Sequence, residues 1–172
     1  MDTSTPVFRV QVLGDANSPF TTRIETYFEL RARLQRTVPA VTVTDDVGQI
    51  RRGTRSLANA IRVARHGAMQ GEFFTVATSA ELKRTLALIM DADVWAAIMD
   101  DNPGAFSHDI DGSYPEGKTR STMPGIVLAS LPRLPDDIEF RFLGRHLILY
   151  DTRANTIIDQ LPNAIACEAC EE

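Results

Sequence analysis

The sequence predicts an α+β fold, with a three- to four-helix N-terminal bundle packed on a small C-terminal antiparallel sheet. Over residues 20–98 apolar side chains recur at three- and four-residue intervals, the period of helices that bury one stripe. Asn102-Pro103-Gly104 breaks that period, and prolines and glycines punctuate the chain as far as Pro135. Over residues 138–161 the apolar residues alternate instead, with turn formers at Gly144-Arg145 and at 151–155. Three short strands are too few to stand alone, so their apolar face is expected to pack on the helices.

The N-terminal arm, residues 1–19, includes an alternating run at 7–13 that reads as a short strand or extended arm. Ser18-Pro19 offers a helix cap followed by proline at the first helical position. Phe20, Ile24, Tyr27, Phe28 and Leu34 then define a helix to about residue 36, stopped by Pro39. Residues 41–43 are a linker. Thr44 or Asp45 is placed to cap a second helix with Val47, Ile50, Leu57, Ile61 and Ala64 on its buried stripe, ended by Gly67. Gly53 in its middle costs about 1 kcal/mol relative to alanine and fits a kink or a close helix contact. Residues 70–76 form an apolar connector carrying Phe73 and Phe74. Thr78 and Glu81 have capping-box spacing for a third helix, and Asp91-Ala92-Asp93 is a point where it can split. A loop over 103–122 follows, then a short helix opened by Met123-Pro124, then the strands; residues 167–172 form a tail. The 172 residues, 44% apolar and 24% charged, fit a single soluble domain, 1–172, with its helical part at 20–102 and the short helix and strands at 123–166.

A net charge of −5 argues against a general nucleic-acid binder, yet the charge is uneven. Residues 20–66 hold nine arginines against four acids, a local +5, whereas residues 71–118 hold nine acids against three basic residues, a local −6. Arg51, Arg55 and Arg62 fall near one side of the second helix, a candidate anion or nucleic-acid patch, although nucleic acid is not the expected partner. The bland alternative is a solvated face with arginines paired to local acids. No apolar run approaches the roughly 20 residues of a membrane helix, and the first residues lack the basic-then-apolar pattern of a secretory signal.

His108, Asp109 and Asp111 are the candidate metal or general-base residues, since carboxylates orient imidazole and raise its basicity. His146 is a further candidate for this set. The spacing is not that of a calcium loop: counted from Asp109, glycine falls at position 4 rather than 6, and Glu116 at position 8 rather than 12. A solvated acidic loop explains these residues equally simply. His66 sits at a helix C-terminus, where the dipole alone favours it. Cys167 and Cys170 are a lone CxxC without the second pair of a zinc ribbon or the strand-to-helix setting of a redox motif. No nucleophile elbow, Walker loop or GxGxxG occurs. Asp151 and Asn155 suit positive φ and side-chain turn bonds, and Asp159 is expected to pair with Arg141 or Arg145 across the strands.

Three stretches carry a resemblance: AIRVARHGAMQGEFFT; then NPGAF followed by YPEG and TMP; and above all LPRLPDDIEFRFLGRHLILYDTRANTIIDQLPNAI. Over about residues 20–166 they resemble an uncharacterised family of small bacterial proteins usually made with export signals. His146 stands where that family mostly carries an acid. The resemblance implies an extracytoplasmic or periplasmic setting and brings no activity. The expected function is therefore a non-enzymatic binding or interaction module of the bacterial cell envelope, with a protein or small-ligand partner and no cofactor. The alternative is a metal-binding or metal-dependent hydrolytic protein that holds a divalent cation at His108, Asp109 and Asp111.

Overall fold

The computed structural model describes residues 18–39 and 46–166. The arm at 7–13, the linker at 41–43, the Thr44 and Asp45 cap positions and the Cys167 and Cys170 pair lie outside them. Helix α1 is Pro19–Thr37, and the Oγ of Ser18 accepts the Thr21 N–H at 3.1 Å, as the Ser-Pro pair predicts. Helix α2 is Val47–Ala64 and is capped by Asp46, whose carboxylate accepts from Gly48 at 2.8 Å and Gln49 at 3.3 Å. The cap thus falls one residue beyond the predicted pair. Gly53 is buried in this helix.

Helix α3, Val76–Ile89, begins earlier than its capping-box spacing implies. Thr75 is its cap and accepts from the Thr78 N–H at 3.3 Å, while Thr78 is buried within the first turn. Two hydroxyls one turn apart compete for the role, and the anchoring of Phe73 and Phe74 in the core decides between them. Helix α4, Ala92–Met99, starts at Asp91, whose carboxylate accepts from Val94 at 2.8 Å, so the acidic pair does divide the helical run. Helix α5, Gly125–Ser130, follows Pro124.

The helices α1 to α4 precede an antiparallel sheet of four strands: β1 Gly112–Ser113, β2 Ile138–Leu143, β3 His146–Asp151 and β4 Thr156–Leu161, in the order β1-β4-β3-β2. The two-residue β1 is too short to show alternation, which is why three strands rather than four are legible beforehand. Ile138, Phe140, Phe142, Leu147 and Leu149 face the helices and join Phe20, Ile24, Leu57, Ile61, Leu82 and Leu86 in the main core. Each such large side chain contributes about 1.5–3 kcal/mol on burial. The opposite face is also covered. Tyr114 and Phe106, from the predicted loop, pack there on Ile148, Tyr150 and Ile157. Residues 103–122 therefore form a cover over the second face of the sheet.

The turn that feeds β1 requires glycine. The Gly112 N–H donates to Asp109 O at 2.9 Å, and a Cβ at Gly112 would stand 2.7 Å from that oxygen. Among the described residues no helix is long and apolar enough to cross a membrane.

Candidate functional site

Polar residues gather in two places, one inside the fold and one in an open cleft. Inside, the Asp151 carboxylate at the end of β3 is fully buried. It accepts from the Tyr27 hydroxyl at 2.8 Å, Arg31 Nη1 at 3.2 Å, and the Arg153 and Ala154 N–H groups at 3.0 and 3.1 Å. Burial, then the Asp151 charge, raises the Tyr27 hydroxyl well above its ordinary pKa. The turn bonds expected of Asp151 are present, and Asn155 adopts positive φ. The bonds of Asp151 to Tyr27 and Arg31 on α1 are an addition that turn chemistry alone does not foretell.

Asp159 does not pair with Arg141 or Arg145. Its carboxylate accepts the backbone N–H groups of Gly71, Phe73 and Phe74 at 2.8, 2.7 and 2.8 Å. Strand order explains this, because β3 lies between Arg141 on β2 and Asp159 on β4. A register shift beside Leu149 and Tyr150 places Asp159 opposite Leu149, which faces the helices. Arg141 instead holds Glu139 on its own strand, at 2.6 Å.

The metal candidates do not assemble. Asp111, at φ +60°, turns inward and lies 3.4 Å from Arg65, which also binds Glu72 at 2.8 Å and packs over the Tyr27 and Phe73 rings. Burial pushes the Asp111 carboxyl up to about 6, with Arg65 opposing the rise. An arginine already occupies the electrostatic place a cation would take. Asp109 is exposed, and His108 directs Nδ1 to Phe106 O at 3.1 Å. His146 Nδ1 accepts from the Asn163 N–H at 3.0 Å, and its pKa is lowered by burial and by His108 nearby. His66 is exposed beyond α2. Among the described residues no group of three His, Cys, Asp or Glu could hold a metal ion.

The second assembly is a cleft of about 690 Å³ lined by α2, by residues 113–118 and Arg120, and by the β3–β4 turn. From α2 come Arg51 and Arg55, the first two members of the predicted patch. Arg62, the third, lies further along the helix and hydrogen-bonds Asn59 and Asp111 O. The cleft gains two cations in exchange, Lys118 and Arg120. The Arg120 guanidinium sits 5.2 Å from the Tyr150 ring centre and 5.8 Å from the Tyr114 ring centre. Burial raises the Tyr150 hydroxyl pKa and Arg120 counters it; that hydroxyl donates to Asn155 Oδ1 at 2.7 Å. Both rings are buried, so they form a fixed floor beneath an exposed guanidinium.

Four cations thus line the cleft against a single acid, Glu116. Glu116 stands 3.9 Å from Arg51 and 3.8 Å from Arg55. Among the described residues, Lys118 and Arg120 have only aromatic rings as side-chain partners. Helical periodicity finds Arg51 and Arg55. Lys118 and Arg120 escape it, because they join the arginines only when the 103–122 cover folds back on the sheet. The one local sign of them is the turn-forming Pro115-Glu116-Gly117 beside Lys118.

No family model matches the chain, and no curated protein or solved structure does so either.

Proposed function

We propose that the protein is a non-enzymatic binding module that captures a small anionic ligand in the cleft between α2 and residues 113–120. The observation that carries this reading is the pair Lys118 and Arg120, two cations without a carboxylate partner among the described residues, in one cleft with Arg51 and Arg55. An ammonium and three guanidiniums provide many charge-assisted donors, the strongest class of neutral-pH anion contacts. The lining acid is already beside two arginines, so binding rather than proton transfer is the chemistry the cleft suits. A net charge of −5 repels a long polyanion, whereas a small anion within about 8–10 Å of the cleft feels mainly its local positive charge. The resemblance noted in the sequence adds the bacterial cell envelope as the proposed setting, which fractionation of the native host checks.

Isothermal titration calorimetry with inorganic pyrophosphate at low ionic strength tests the reading. Binding that weakens with salt is expected, and the double variant Lys118→Gln/Arg120→Gln is expected to lose about tenfold in affinity or more. Affinity unchanged in that variant would sink the proposal.

A further inference from the structure

We infer that Glu116 is a built-in stand-in for the ligand's acidic group, and that the ligand carries at least two anionic groups; this rests on the cleft being the binding site. Residues 115–118 form a turn in which the Lys118 N–H donates to Pro115 O at 3.4 Å. Gly117 adopts φ +81°, the conformation a type II turn demands at its third position. The turn puts Glu116 at its corner, and its carboxylate reaches across to Arg51 and Arg55, one helical turn apart on α2.

Both contacts are long, 3.9 and 3.8 Å, and all three side chains are largely exposed. Exposed pairs of this kind hold weakly, so a competing oxyanion can displace the carboxylate without unfolding anything. The contrast with the interior is direct: Asp151 and Asp159 accept backbone N–H groups and have no such freedom.

The cleft's cations form two pairs in different states. Arg51 and Arg55 share the Glu116 carboxylate, while Lys118 and Arg120 have no carboxylate among the described residues. A ligand with one anionic group would satisfy the open pair and leave Glu116 in place. A ligand with two, such as a diphosphate or a dicarboxylate, takes both pairs and displaces Glu116.

The test compares inorganic pyrophosphate with inorganic phosphate by titration calorimetry, on the wild-type chain, Glu116→Gln and Lys118→Gln/Arg120→Gln. Removing a competing like charge is expected to tighten pyrophosphate binding by about threefold to fivefold in Glu116→Gln. Phosphate, which the open pair can hold alone, is expected to change by less than about twofold. Equal pyrophosphate affinity in wild type and Glu116→Gln, with weakened binding in the Lys118/Arg120 variant, overturns the stand-in role and leaves the cleft as the site. Equal gains for both anions overturn the requirement for two anionic groups. Pyrophosphate binding that is absent, or unaltered by the Lys118/Arg120 variant, overturns the cleft and this inference with it. A thermal melt of Glu116→Gln separates competition from clasping: a variant that binds tighter at unchanged melting temperature supports displacement, and one that is destabilised without tighter binding overturns it.

Discussion

The buried Asp151 cluster and the open cleft use the same residue types, arginine, tyrosine and acid, to opposite ends. In the interior two acids are saturated: Asp151 has four donors and Asp159 accepts three backbone N–H groups from residues 71–74. These bonds tie α1 and the 70–74 connector to the sheet, so the charges act as fastenings. In the cleft the cations outnumber the acid, and the acid is loosely held. The difference follows from solvent. A buried charge without a partner is costly, so Asp151 and Asp159 are each held by several donors and the buried Asp111 is paired with Arg65. An exposed surplus costs little to maintain and leaves attraction available for a ligand. Saturation marks the structural cluster, and surplus marks the candidate site.

Substitutions that break the contrast should have effects of very different size. The largest is expected for Asp151→Ala, which removes the acceptor of the Tyr27 hydroxyl and of Arg31 Nη1 and leaves the buried guanidinium only Asp136 O and the 3.7 Å contact with Asp137. A loss of about 3–5 kcal/mol in denaturant unfolding is expected, and a loss below about 1 kcal/mol would show that the cluster is not a fastening. Asp159→Ala removes the side-chain acceptor of four N–H groups, those of Gly71, Phe73, Phe74 and Gln160, and about 2–4 kcal/mol is expected to be lost, with faster amide exchange at Phe73 and Phe74. Asp111 gives a smaller, pH-dependent effect. Its folded pKa is raised to about 6 from an ordinary 3.8, so the folded state binds more protons than the unfolded one between those values. Its contribution is therefore fully present below about pH 4 and is lost as pH rises through about 6, on the order of 1–3 kcal/mol. In Asp111→Asn that part of the pH slope should vanish from the unfolding free energy. The smallest stability effect is expected for Lys118→Gln/Arg120→Gln, within about 0.5 kcal/mol of wild type, although it is the variant that loses anion affinity. A large destabilisation there would move the cleft into the structural class and erase the distinction.

The helices and hairpins were legible because their signals are local. Ser18-Pro19 marks the start of α1, the acidic pair at Asp91 and Asp93 divides α3 from α4, and alternation locates β2 to β4. Local rules also misplace what tertiary contacts decide. The α3 cap moves from Thr78 to Thr75 once Phe73 and Phe74 are anchored, and Asp159 leaves its expected arginines because strand order and a register shift turn it to the helices. Asp109 and Asp111 look alike as carboxylates two residues apart, yet one faces water and the other Arg65. Nothing in their spacing distinguishes them.

What the sequence determined by itself was the class of fold, the placement of its main elements and one half of the cleft, Arg51 and Arg55. These depend on periodicity and on caps, which act within a few residues. The tertiary structure alone decided that residues 103–122 cover the second face of the sheet, and so brought Lys118 and Arg120 into one cleft with arginines some sixty residues earlier in the chain. It also decided which acids are buried, because burial depends on contacts between distant segments, and no local pattern encodes which segment will arrive.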